Sequence, residues 1–160
     1  MKKTALAATL TLFASLAAAP AFAEDEYNVS TGLTAAGTPL GLHGVDPVAF
    51  LDIGNRIEGR AEHAAVHDGV TYYFATAANR AAFEASPARY LPQNGGFCTY
   101  GVSVGKKFDG DPQYAAVIDD RLYVFLSEEI FHAFLADRET TISRAADNWP
   151  RIRETPAEDL

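Results

Sequence analysis

The chain has 160 residues, of which 48% are hydrophobic, and 21 Asp and Glu outnumber 13 Lys and Arg for a formal net charge of −8. An acidic surface repels phosphate backbones, so the composition disfavours nucleic acid as a partner. Cys98 is the only cysteine, so no internal disulfide can form and a packed core must supply the stability.

The first 23 residues predict a secretory signal peptide. Lys2 and Lys3 precede an apolar run, which ends at the small-x-small pattern Ala21-Phe22-Ala23. The run is too short and wrongly flanked for a membrane anchor, and no cysteine stands at the cleavage point to carry a lipid. We therefore expect cleavage after Ala23 and a bacterial product in the periplasm or outside the cell.

An internal repeat follows residues 24–43, which predict an extended N-terminal arm. Shifted by 51 positions without a gap, residues 44–85 match residues 95–136 at 12 of 42 positions. Roughly three or four matches would arise from ordinary residue frequencies. Two copies of one unit are therefore predicted. Matching pairs include Gly54/Gly105, Gly59/Gly110, Tyr72/Tyr123, Phe74/Phe125 and Phe83/Phe134.

Each copy predicts a β-hairpin followed by a helix. Residues 65–74 alternate around a tight Asp-Gly turn, and residues 115–126 repeat the pattern around Asp119-Asp120. Thr76 and Ser127 then stand where helix N-caps belong. The predicted fold class is α+β, with hairpin-plus-helix units 44–91 and 95–136 packed in one small domain, residues 44–150.

The closing segment, residues 137–150, predicts a short C-terminal helix. Its helical pattern covers residues 140–148 and is expected to end at Trp149-Pro150, because proline disfavours a helical residue before it. The remaining residues, 151–160, are polar and predict a loose tail.

The first unit resembles the YHS domain, through Asp46-Pro47-Val48, Tyr72-Tyr73-Phe74, Phe83 and Tyr90-Leu91. The wider pattern of "LHGVDPVAF", "QNGGFCTYGV", "DDRLYVF" and "ADNWP" is similar to an exported bacterial family of YHS domain-containing (seleno)proteins. The resemblance covers residues 41–150. It implies a small module related to those found beside heavy-metal transporters and in metal-dependent hydroxylases.

The metal-binding cysteines that the resemblance implies are missing from both units. Their positions are occupied by Ala49, Ala75 and Asn79 in the first unit and by Leu126 and Ile130 in the second. None of these side chains is a soft-metal ligand. We therefore expect the usual thiolate site to be absent and the protein to fold without zinc.

Cys98 is the candidate site residue. The family that the chain resembles has cysteine there, and in some members apparently selenocysteine, which implies a nucleophilic or redox role. Gly95, Gly96 and Gly101 would let backbone amides approach the sulfur and lower its pKa. Neighbouring aromatic side chains could instead bury it as a small core residue. We expect an accessible, acidified thiol.

Two functions follow from these residues. In the first, the protein is a thiol-centred binding module in which Cys98 handles a copper-type soft metal, with His43 and His67 as further ligands, or acts as a redox thiol. Its partner would be a thiol- or metal-handling envelope protein, because a lone thiol has no resolving cysteine and a self-contained enzyme is disfavoured. In the second, the protein is a non-catalytic interaction scaffold with a structural Cys98 and a lost metal site.

Overall fold

The structure is a computed structural model that describes residues 27–160. The predicted signal peptide, residues 1–23, lies outside the described residues, so cleavage and export stay predictions. Within residues 27–160 no helix is both long enough and apolar enough to cross a membrane.

Helices and hairpins alternate along the chain, which confirms the predicted α+β class. Three short 3-10 turns, Leu42–Gly44, Gln93–Gly96 and Ala157–Asp159, lie between or after the main elements. These elements are α1 (Pro47–Ile53), β1 (Arg60–His67), β2 (Val70–Phe74), α2 (Ala77–Ala85), α3 (Pro87–Tyr90), α4 (Thr99–Ser103), β3 (Asp111–Ile118), β4 (Arg121–Phe125), α5 (Glu128–Ala136) and α6 (Arg138–Ile152).

The repeat is confirmed at the level of strand register. The strands β1 and β2 pair antiparallel, as do β3 and β4, and both pairings carry an irregularity at the same place. Adding 51 to both residue numbers of a pair in the first hairpin gives a pair in the second. For example, Ala65 faces Tyr72, and Ala116 faces Tyr123. The bounds of α2 and α5 differ by the same 51 residues.

The two predicted helix caps are also confirmed. The Thr76 hydroxyl accepts a hydrogen bond from the Asn79 amide, and Ser127 does the same for the amide of Ile130. In each helix the cap satisfies one of the first-turn N–H groups that have no intrahelical partner.

Close backbone approach explains one pair of repeated glycines. A Cβ on Gly59 would collide with the backbone of Tyr73, and a Cβ on Gly110 would collide with the Gly96 carbonyl and the Val124 side chain. Tyr73 and Val124 are themselves equivalent across the repeat. Glycine is therefore required before the first strand of each hairpin because a side chain has no room there.

Strand β4 joins the cores of the two units. Leu122 and Val124 pack in the first unit's cluster with Phe74 and Phe83, while the alternate residues face a second cluster, as expected for a strand covered on both sides. We expected Tyr72, Phe74 and Phe83 to meet the equivalent aromatic residues of the second unit or the neighbours of those residues. They meet the neighbours, Leu122 and Val124, whereas Tyr123, Phe125, Phe134 and Cys98 form a separate cluster.

The C-terminal region differs from the prediction. Helix α6 continues through Pro150 to Ile152, and the Arg153 amide still donates to the Trp149 carbonyl. Trp149 and Ile152 pack against a third cluster around Phe97, Val102 and Ala145. This apolar contact overrides the local tendency of proline to end the helix. The predicted helix end at residues 149–150 is therefore wrong.

The predicted loose tail is also tied down. The buried Lys107 ammonium donates to the carbonyl oxygens of Arg153 and Thr155, at 2.8 and 2.7 Å. The polar sequence alone suggested that the tail is mobile. In the structure Lys107 of the second unit fixes the backbone of the tail.

The N-terminal arm, described from Tyr27 onward, contacts both units. Leu40 forms a β-bridge to Thr71 in the first unit. The Asn28 side chain donates to the Gly96 carbonyl and to the Asp109 carboxylate in the second. The arm therefore holds the two copies together rather than projecting from them.

Candidate functional site

Cys98 lies at the N-cap of α4 and is only 1% exposed. Its side chain packs with Tyr123, Phe125 and Phe134 in the second cluster. The expectation of an accessible thiol is therefore wrong. The alternative, a thiol buried among aromatic side chains, describes Cys98. The three neighbouring glycines indicated backbone freedom but could not indicate which distant aromatic residues would cover the sulfur.

Burial also controls the charge of the sulfur. Loss of solvation raises the pKa of the Cys98 thiol above its usual value, because burial disfavours the thiolate. The backbone amides of Gly101, Leu126 and Tyr100 act against this rise, and the Asp109 carboxylate adds to it. The predicted lowering of the Cys98 pKa is therefore wrong, although backbone amides do approach the sulfur as expected. At neutral pH the group is a neutral thiol.

The first unit holds a carboxylate in a similar cradle of donors. Asp46 is completely buried at the N-cap of α1. One carboxylate oxygen accepts from the amides of Val48 and Ala49, at 2.8 and 3.0 Å. The other accepts from the Ala75 amide and the Asn79 side chain, both at 2.7 Å.

Cys98 takes the place of Asp46 in the second unit. The Gly101 amide donates to its sulfur at 3.5 Å, and the Leu126 amide, which also acts on it, is the repeat equivalent of the Ala75 amide. The 51-residue offset pairs Asp46 with Phe97, one residue before Cys98. Sequence comparison missed the correspondence because the cap position has shifted by one residue.

Cys98 lines a small pocket together with residues that are exposed at the surface. We call it the Cys98 pocket; its volume is about 130 Å³ and its lining is almost wholly apolar. At its rim the exposed fractions of Val104, Phe108 and Leu126 are 57%, 46% and 41%. The lining residues are Cys98, Tyr100, Gly101, Val104, Phe108, Leu126 and Ile130.

Neither candidate histidine ligand lines the Cys98 pocket. The His43 Nε2 atom is 3.0 Å from the Asp109 carboxylate. His67 lies at the end of β1, where its ring meets Phe83 edge-on, with ring centroids 6.0 Å apart. No group of three or more His, Cys, Asp and Glu side chains within residues 27–160 could hold a metal ion. Cys98, His43 and His67 therefore do not fit the copper-type site that we expected.

This geometry predicts that stability does not depend on metal. Adding EDTA should leave the midpoint of thermal unfolding unchanged, because no described donor group couples folding to a metal ion. Differential scanning calorimetry with and without the chelator measures the effect. A fall of several degrees that added Zn²⁺ or Cu²⁺ restores would contradict the prediction.

Comparisons with known proteins gave no match: no protein-family model, no curated protein and no solved structure resembles the chain closely enough to be reported. The similarity to the YHS domain-containing family therefore stays a prediction that rests on the sequence motifs.

Proposed function

We propose that this protein is a small thiol module that depends on a partner protein and acts outside the cytoplasm, with Cys98 and the Cys98 pocket as its site. The observation that carries the proposal is the pocket itself. Cys98 is only 1% exposed, but it lines an apolar pocket together with the exposed residues Val104, Phe108 and Leu126, and a thiol that served only as packing would need no such pocket.

The volume and the apolar lining of the Cys98 pocket determine which reactants can enter it. About 130 Å³ of apolar space admits a small uncharged molecule and excludes bulky or charged reagents. A small hydroperoxide meets these requirements. The thiolate, which is the minor form because burial raises the pKa of Cys98, would attack one peroxide oxygen, forming an S–O bond and breaking the O–O bond. The leaving oxygen would take up the proton lost by the thiol and depart as water or an alcohol. Cys98 would become a sulfenic acid.

The amides around the sulfur support this chemistry. The Gly101 amide donates to Sγ, and the amides of Leu126 and Tyr100 also favour the thiolate. The same N–H groups can donate to the new oxygen after oxidation. Because the chain has no second cysteine, a thiol of a partner protein would have to attack the sulfenic acid, forming a mixed disulfide and releasing water. The signal-peptide pattern places this cycle in the cell envelope in our proposal.

The burial of Cys98 favours a second function. A sulfur that is 1% exposed and neutral at pH 7 is also what a purely structural residue would be. In that case the protein is a non-catalytic interaction scaffold and the pocket is a packing defect.

Two labelling reagents separate the two functions. Methyl methanethiosulfonate is small and uncharged, and we expect it to label native Cys98; the bulky dianion of Ellman's reagent should label it only after denaturation. Because burial raises the thiol pKa, the native rate should continue to increase with pH above about 8.5, where an ordinary cysteine levels off.

A variant of the pocket rim supplies the control. Val104→Trp should slow labelling by the small reagent without lowering stability, because residue 104 is exposed and its larger side chain fills the opening. If the small reagent also labels only the denatured chain, the thiol function is excluded and the scaffold function replaces it. Dimedone capture of the sulfenic acid after peroxide treatment tests the oxidation step itself.

A further inference from the structure

A second cavity lies where the two units and the C-terminal helix meet, and it shares no lining residue with the Cys98 pocket. It has a volume of about 370 Å³, within the range of small-molecule sites. We call it the Arg121 cavity. Its walls come from the segment linking the two units, from β4 and from α6; they include Gln93, Arg121, Tyr123, Ile142, Ala145 and Trp149.

The polar groups of the Arg121 cavity come from one face of β4. Arg121 and Tyr123 are alternate residues of that strand, so their side chains point to the same side. Leu122 and Val124 point to the other side, into the core of the first unit. The strand thus places a guanidinium group and a phenol side by side at the cavity wall.

The Tyr123 hydroxyl is unpartnered although its residue is only 5% exposed. Within residues 27–160 no hydrogen bond to this hydroxyl is formed, and no side-chain nitrogen or oxygen that is cut off from solvent lacks a partner. The hydroxyl must therefore reach the cavity, which Tyr123 lines. A buried hydroxyl without a protein partner is costly unless water or a ligand satisfies it.

The Arg121 guanidinium is also available. In the described part of the chain it forms no ion pair or side-chain hydrogen bond, in contrast to Arg89, which contacts Asp52 and Asp120. Asp119 and Asp120 line a neighbouring hollow that Arg121 also lines, but they do not line the Arg121 cavity. The planar fork of a guanidinium matches the two oxygens of a carboxylate.

The opposite wall is apolar. Ile142, Ala145 and Trp149 of α6 line it, and Trp149 also contacts Phe97 with ring centroids 6.2 Å apart. A ligand that satisfied both walls would carry an anionic group at one end and an apolar or aromatic body at the other.

From this arrangement we infer that the Arg121 cavity binds a small organic monocarboxylate. The carboxylate lies against the Arg121 guanidinium and accepts from the Tyr123 hydroxyl, and the body of the ligand packs on Trp149 and Ile142. Asp119 and Asp120, which line the neighbouring hollow with Arg121, weaken its attraction for an anion. Acidic residues farther away than about 8 Å are largely screened at physiological ionic strength.

The chain offers its own reporter. Trp149 is the only tryptophan and lines the cavity, so its fluorescence reports occupancy directly. Phenylacetate is the probe. 2-Phenylethanol has the same aromatic ring without the negative charge, and acetate has the carboxylate without the aromatic ring. Phenylacetate should give a saturable change, and the other two should bind at least about tenfold more weakly.

Substitutions locate the site. Arg121→Met should weaken phenylacetate binding at least about tenfold, and Tyr123→Phe, which removes one hydroxyl, about three- to tenfold. Arg144→Met is the matched control: it removes an exposed arginine of α6 that does not line the cavity and should leave the affinity unchanged. Circular dichroism checks that each variant is folded, and Arg121→Gln repeats the test with a polar replacement.

Three results would overturn the inference. The first is no saturable change in Trp149 fluorescence or calorimetric heat with phenylacetate over the millimolar range. The second is equal affinity for 2-phenylethanol, which would show an apolar hollow without anion recognition. The third is wild-type affinity in both folded Arg121 variants. None of these bears on the labelling of Cys98, so this inference and the thiol function can fail separately.

Discussion

Replacing Asp46 with alanine should lower the free energy of unfolding by at least about 3 kcal/mol. Asp46 is completely buried, and its two oxygens accept from the amides of Val48, Ala49 and Ala75 and from the Asn79 side chain. Alanine leaves these donors without an acceptor, and each unsatisfied buried group costs about 1–3 kcal/mol. The same substitution removes the cap of α1.

Urea unfolding measures the decrease in the free energy of unfolding, and two further variants serve as comparisons. Asp46→Asn keeps one acceptor oxygen and should lose less than Asp46→Ala, because the amides of Val48 and Ala49 remain bonded. Asp147→Ala removes an exposed carboxylate of α6 and should change the free energy by no more than about 0.5 kcal/mol. If Asp46→Ala is as stable as Asp147→Ala, the donor cradle does not stabilise the first unit.

Local signals in the sequence were sufficient to predict the hairpin and the helix that follows it in both units, but not the short helices α1, α3 and α4. Asp68-Gly69 and Asp119-Asp120 have positive φ values, as their turns require, and Thr76 and Ser127 cap the helices that follow. Each signal acts within a few residues, and the repeat supplied every signal twice. The end of α6 could not be predicted in this way, because a contact with the distant cluster of Phe97 and Val102 determines it.

Only part of the candidate site could be predicted, because the rest depends on contacts between residues that are distant in the sequence. The sequence singled out Cys98 by its uniqueness, and the glycines indicated amides near the sulfur, which the structure contains. Burial depends on Phe125 and Phe134, which are close to Cys98 only in the folded chain. The Arg121 cavity had no sequence signal, because β4, the linking segment and α6 meet only through tertiary packing.

Lys107→Met should release the C-terminal segment and lower the free energy of unfolding by about 2–4 kcal/mol. The Lys107 ammonium is buried and donates to the Arg153 and Thr155 carbonyl oxygens just beyond α6, where the helix dipole favours a positive charge. It also lies 5.2 Å from the Phe97 ring centroid and 5.6 Å from that of Trp149. Methionine keeps the apolar stem and removes only the charge and its hydrogen bonds.

Lys106 provides the matched control, because it is adjacent and exposed. Like Lys107→Met, Lys106→Met removes one positive charge and one trypsin site, so a difference between the variants comes from the buried contacts of Lys107. We expect trypsin to cleave after Arg151 and Arg153 much faster in Lys107→Met than in Lys106→Met, with a lower thermal midpoint. Equal cleavage rates and equal midpoints would mean that packing of Trp149 and Ile152 alone holds the end of the chain in place.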